Sequence, residues 1–155
     1  MARIPVLFLC TANSARSQMA EGFVRHYASR QIEALSAGVQ PQPIHPEAIE
    51  VMKEMGIDIS HQRSRSVREL LGRRRFSHVI FVCRQAEQDC PHSFPMSQAR
   101  ESWHVEDPVR ENAPGDNLHH EARQRFRIVR DTVHDLVCDW LRIQGIEFER
   151  IERST

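Results

Sequence analysis

The hydrophobic period changes abruptly near the N-terminus, and this constrains the fold more than any other feature. Residues Ile4 to Leu9 form a short, continuous apolar run, whereas Met19, Ala20, Phe23, Val24 and Tyr27 recur at helical spacing from Ser17 to about Ser29. A strand that is apolar on both faces, joined by a short loop to an amphipathic helix, opens a βαβ unit in a parallel sheet. The alternation continues. Ile32 to Ala37 reads as a second strand, closed by Gly38 and the proline-rich turn GVQPQPIHP. Pro46 suits the first turn of a helix carrying Ile49, Met52 and Met55 and ending near Gly56. A further helix is expected from Ser66 to about Gly72, and a third strand from His78 to Cys83. Arg84 to Gly115 reads as a long polar segment with a short strand around Trp103. Ala122, Phe126, Val129, Val133, Leu136, Val137, Trp140 and Leu141 make one stripe on a long last helix. The predicted fold is α/β: a single-domain, open, mainly parallel twisted sheet of about four strands with helices on both faces. Residues 1–145 are expected to form the domain, and 146–155 a charged tail that frays.

Composition narrows the function classes. The formal net charge of the 155 residues is zero, so no global field favours nucleic acid or an anionic membrane. No apolar run approaches the roughly 20 residues needed to span a bilayer. The apolar core at the N-terminus, Val6 to Cys10, is too short for a signal sequence, and a cytoplasmic monomer is expected. In a reducing compartment the four cysteines read as catalytic, redox-active or simply buried, not as a disulfide scaffold. The nine histidines follow no zinc spacing, and His92 with Cys83 and Cys90 makes only a partial set, so no metal is expected.

The chemistry concentrates in the loop between the first strand and helix, CTANSARS, Cys10 to Ser17. In an open α/β sheet, ligands bind beyond the carboxyl ends of strands, where the next helix begins. Backbone N–H groups of Thr11, Ala12, Asn13, Ser14 and Ala15 can form an anion nest there, which Arg16 closes with a bidentate contact to a tetrahedral oxyanion. The same positive field is expected to lower the pKa of Cys10, making it a nucleophilic thiolate near neutral pH. Ser17 either donates its hydroxyl to that sulfur or caps the helix. A bound oxyanion also needs a proton donor for its departing oxygen. Asp107, in WHVEDPVR, is the strongest candidate, although an Asp-Pro pair equally marks a turn; neighbouring Glu106 reads as solvated.

Two further thiols bear on the reaction. Cys83 ends a predicted strand, which puts it at the same sheet edge as Cys10, and Cys90 follows seven residues later in a polar stretch. Their spacing leaves open a redox pair or two independent thiols. Cys138, between Val137 and Trp140 on the last helix, reads as a packed core thiol.

The stretch Cys10 to Gly22 resembles the signature loop of the low-molecular-weight protein tyrosine phosphatase superfamily. Asn13 matches the residue that holds the loop's strained turn, and Gln18 replaces the proline usual in the phosphatase branch. Ala12 and Ala15 depart from the commoner Gly and Cys, which makes the backbone at Ala12 a point to examine, since alanine tolerates positive φ poorly. With SAG at Ser36–Gly38, the stretch Pro46 to Ser60, Trp103-x3-Asp107-Pro108 and the Cys83/Cys90 spacing, the chain is similar to the thioredoxin-coupled arsenate reductases of that superfamily.

The resemblance implies a relay. Cys10 attacks arsenate while Asp107 protonates the leaving oxygen; Cys83 attacks Cys10 and releases arsenite; Cys90 attacks Cys83, leaving a disulfide for thioredoxin. It implies no bound cofactor, thioredoxin as external reductant, and phosphate or sulfate as competing oxyanions. Some members place a cation with positions matching Asn13, Glu21, Ser36 and a later acidic residue; here HQRSRS carries Arg63 and Arg65, so none is expected. Joining Cys83 to Cys90 sets a geometric demand. Disulfide-linked Cα atoms lie about 5.5 Å apart, whereas seven extended residues span roughly 23–25 Å. The intervening segment must therefore fold back and change conformation on oxidation. The rival readings are a phosphatase on the same fold and a non-enzymatic thiol sensor.

Overall fold

The computed structural model describes residues 2–70, 72–89, 97–110 and 118–152. Strand β1 (Ile4–Cys10) leads into helix α1 (Arg16–Ala28) and strand β2 (Ile32–Gly38), followed by α2 (Pro46–Lys53) and β3 (Phe76–Phe81). A short helix α3 (Arg84–Asp89), strand β4 (Ser97–Ser102) and the long helix α4 (Leu118–Ile143) complete the chain. The strands form one sheet in the order β2-β1-β3-β4, with every pairing parallel. Val6 to Cys10 are each at most 2% exposed, so both faces of β1 are covered, as the uninterrupted apolar run requires.

This order positions the site. The chain leaves β1 for β2 on one side and later returns to β3 on the other, so the carboxyl ends of β1 and β3 flank the topological switch point. Cys10 stands opposite Gly38, and Leu9 opposite Phe81. Val82 N–H extends the ladder to the Leu9 carbonyl at 2.8 Å, which brings Cys83 out at the same edge as Cys10.

Three expectations change. The helix expected from Ser66 to Gly72 is a single 3-10 turn, Val67–Glu69. Its capping box is real: Ser66 Oγ accepts from Arg68 N–H, and Glu69 Oε2 accepts from Ser66 N–H. With so few residues, however, nucleation is not followed by enough propagation to sustain an α-helix. The polar segment after Cys83 holds two elements, α3 and β4; the strand ends one residue before Trp103. Finally, residues 146–152 do not fray. Ile146, Phe148 and Ile151 pack on the core, Phe148 lies 4.8 Å from the Tyr27 ring, and Arg150 pairs with Asp135.

Candidate active site

The loop owes its shape to where its carbonyls go. Cys10, Thr11, Ala12 and Ser14 carbonyls accept from the N–H groups of Val39, Gln40, Gln42 and His45 respectively, at 2.8–3.3 Å. The Asn13 carbonyl accepts from Gln18 Nε2 at 3.0 Å, and the Ala15 carbonyl from Met19 N–H at 2.8 Å. In a trans peptide the N–H points opposite to the preceding C=O. Tying every carbonyl from residue 10 to residue 15 outward thus turns the N–H groups of residues 11–16 the other way, as an anion nest requires. The strap that does this, residues 39–45, is the segment whose sequence reads only as a turn.

Asn13 alone among the described non-glycine residues has positive φ, at 51°. Ala12 is spared, and the departure from glycine there costs the loop nothing. Asparagine tolerates this region, and both ends of its side chain are used. Nδ2 donates to Ser17 Oγ at 2.8 Å, and Oδ1 accepts from Arg65 N–H at 2.9 Å. Gln62 holds the second layer: its Nε2 donates to the Gln18 carbonyl at 3.0 Å and to Gln18 Oε1 at 2.9 Å.

Because Ser17 Oγ accepts from Asn13, its own hydrogen is free to point at Cys10 Sγ, 2.8 Å away. Asn13 N–H donates to the same sulfur at 3.0 Å. These donors and Arg16 favour the thiolate, but the sulfur is buried, and burial outweighs them. The Cys10 thiol is pushed above its ordinary value, with Ser17 and Arg16 opposing the rise. The sequence-based expectation of a lowered pKa is corrected here: the loop supplies the predicted donors, and desolvation exceeds them.

The Arg16 side chain is 11% exposed and stands 3.6 Å from Asp107 Oδ2, while its Nη1 donates to the Val105 carbonyl at 3.0 Å. Asp107 combines the two readings its sequence left open. Oδ1 accepts from Val109 N–H at 3.0 Å, forming the turn over Pro108, and Oδ2 faces Arg16. The Pro108 carbonyl is fastened to α4 by Arg125 Nε at 3.2 Å. Glu106 points into solvent toward Arg110.

Cys83 lies buried on the other side of the same cleft, a cavity of about 880 Å³ that Cys10, Arg16 and Asp107 also line. Its sulfur is 3.4 Å from Thr11 Oγ1 and accepts from Ala86 N–H at 3.4 Å. Residues 5–153 match the family described as low molecular weight phosphotyrosine protein phosphatase. The chain belongs to that family.

Within the family, the chain is 40% identical over 134 residues to the arsenate reductase of Shouchella clausii (strain KSM-K16), which covers 86% of this chain and 91% of that protein. A solved structure described as an arsenate reductase in the phosphate binding state aligns with a TM-score of 0.70 at 32% identity, covering 93% of this chain and 99% of that one. The low molecular weight protein tyrosine phosphatase of T. tengcongensis aligns with a TM-score of 0.62 at 26% identity, covering 88% and 99%.

The family fold thus brings Cys10, Thr11 to Ser17, Cys83 and Asp107 together, while Cys90 lies outside the described residues. Cys138 is buried in the core, as its place on α4 predicts. Behind the phosphatase-type loop, Glu21 is buried, accepts from Ser36 Oγ at 3.1 Å and pairs with Arg25 at 3.6 Å. Burial pushes its carboxyl above the ordinary range, and the charges of Arg25 and Arg65 oppose that rise. Among the described residues no group of His, Cys, Asp and Glu is arranged to hold a metal ion, and no helix is long and apolar enough to cross a membrane.

Proposed function

We propose that this chain reduces arsenate to arsenite by a thiol relay, with thioredoxin as the terminal reductant. The observation that carries the reading is the second buried thiol. Cys83 shares a cleft with Cys10 and has two donor groups, Thr11 Oγ1 and Ala86 N–H, at its sulfur. Phosphoester hydrolysis needs one thiolate; disposing of two electrons needs more. The 36–40% identity to arsenate reductases over most of the chain supports the same reading.

The steps follow from the geometry. The nest amides and Arg16 hold arsenate, and Ser17 and Asn13 N–H stabilise the developing thiolate of Cys10. Cys10 Sγ attacks arsenic(V), and an oxygen leaves as water with a proton delivered by Asp107, giving a Cys10 thioarsenate ester. Cys83 Sγ then attacks Cys10 Sγ. The S–S bond forms, the As–S bond breaks with its electron pair remaining on arsenic, and arsenite(III) departs. Cys90 attacks Cys83 Sγ and frees Cys10, and a dithiol of thioredoxin reduces the Cys83–Cys90 disulfide.

Arsenate added to the protein with thioredoxin, thioredoxin reductase and NADPH is expected to give steady NADPH consumption. Cys90→Ser should release one arsenite per enzyme and then stop. Turnover undiminished in Cys83→Ser would sink the relay. The oxyanion loop itself also suits phosphate monoesters, so slow aryl phosphate hydrolysis that survives Cys83→Ser is expected as a side activity.

A further inference from the structure

Glu87 lies on α3, between the two relay cysteines in sequence, and its carboxylate reaches across to the segment that carries the acid. Oε2 accepts from Ser102 Oγ at 2.7 Å and lies 3.2 Å from His104 Nε2. These two contacts hold the Glu87 carboxyl below its ordinary range, so it is ionised and can only accept; His104 Nε2 therefore carries the hydrogen. Arg100, on β4, is the other charge acting on it.

The segment from 102 to 105 alternates in its attachments. Trp103 and Val105 are buried, and their N–H groups donate to the Phe81 and Val82 carbonyls at 2.7 and 3.4 Å. Ser102 and His104, between them, meet α3 through Glu87 alone among the described contacts. His104 also lines the cleft, and Asp107 follows three residues later. One face of the acid segment is thus registered on β3 and the other on the helix that follows Cys83.

We propose that Glu87 is a positioning residue that couples the winding of α3 to the placement of the acid segment. While α3 is helical, the carboxylate holds Ser102 and His104 and keeps residues 103–107 over the cleft. When Cys83 enters its disulfide and α3 rearranges, the clasp opens and the acid segment is released with it. The second half rests on the relay proposed above; the first half concerns the reduced protein alone.

The test is hydrogen exchange on the reduced full chain, comparing the natural protein with Glu87→Gln, which keeps size and an acceptor but loses the charge. Amides of 84–89 and of 103–107 should both exchange about threefold faster, a loss in the range of an exposed charge pair. His104→Asn should do the same, and the double variant should show no further increase, because both remove one interaction. Arsenate kcat should fall about threefold in each variant with KM unchanged, since the oxyanion loop is untouched. Acceleration confined to 84–89, or single effects that multiply in the double variant, would overturn the coupling. After one equivalent of arsenate, the natural protein should exchange like Glu87→Gln across both segments. If its thiols remain unoxidised at that point, the relay is wrong, and the reduced-state comparison still decides the coupling.

Discussion

At the scale of single residues, the site depends on which way one hydroxyl hydrogen points. Ser17 Oγ is fixed as an acceptor by Asn13 Nδ2, so its hydrogen goes to Cys10 Sγ. Burial raises the Cys10 pKa, and Ser17 is the largest influence opposing that rise. The sign of the consequence follows: removing the donor raises the pKa further and lowers the thiolate fraction at any given pH. A hydrogen bond to a charged group contributes about 1.5–3 kcal/mol, and 1.4 kcal/mol is tenfold. Ser17→Ala should therefore slow Cys10 alkylation at neutral pH by about tenfold or more, with the rate recovering as pH rises. An unchanged rate–pH profile would mean that Ser17 serves only the loop's shape.

At the scale of elements, the strands and helices that pack by period were legible, and those held by distant partners were not. β1, α1, β2, β3 and α4 carry continuous or periodic apolar runs, and the structure places each where the sequence does. β4, whose sequence SQARES carries no apolar run, takes its form from pairing with β3 along an edge. The nucleophile, clamp and acid could be read because they are a short motif and a loop near a strand end. Their supports could not: Arg65 lies 52 residues from Asn13, and Gln62 lies 44 from Gln18. Gly38 shows how closely these elements meet. A Cβ there would lie 2.6 Å from the Thr11 carbonyl oxygen and 2.9 Å from Asn13 N, against backbone that cannot rotate away. Gly38→Ala must displace the nest or part β2 from the 63–66 segment, whose Arg65 carbonyl accepts from Gly38 N–H at 2.9 Å. Such overpacking costs about 1–3 kcal/mol. Urea denaturation should show that loss, and phosphate titration should show at least tenfold weaker binding. Retained phosphate affinity would mean that the strand yields instead of the loop.

At the scale of the whole molecule, α4 fastens the site from one direction and the C-terminal segment from another. Arg130 Nη1 donates to the Val51 carbonyl at 2.8 Å and to Glu54, and Arg123 Nε donates to Glu47 at 2.9 Å, locking α2 against α4. His45 joins α2 to the oxyanion loop. Its Nδ1 accepts from Glu47 N–H at 3.1 Å, its ring packs on Phe126, and its N–H holds the Ser14 carbonyl. The opposite end of α1 is closed by the tail. Tyr27 OH accepts from Ile151 N–H at 3.0 Å and donates to His134 Nε2 at 2.7 Å, where Phe23 stacks on the buried imidazole. Tyr27 stands eleven residues beyond Arg16 along α1, about 16 Å at helical rise. Stability and chemistry should therefore separate. Tyr27→Phe keeps the ring contacts but leaves Ile151 N–H without its acceptor, at a cost of about 1–3 kcal/mol. For a chain of this size that lowers Tm by about 2–4 °C per kcal/mol. Hydrogen exchange should quicken across residues 146–152, while arsenate turnover at a temperature well below Tm stays at the natural rate. A parallel fall in turnover would show instead that the tail and the oxyanion loop act as one cooperative unit, linked through α1.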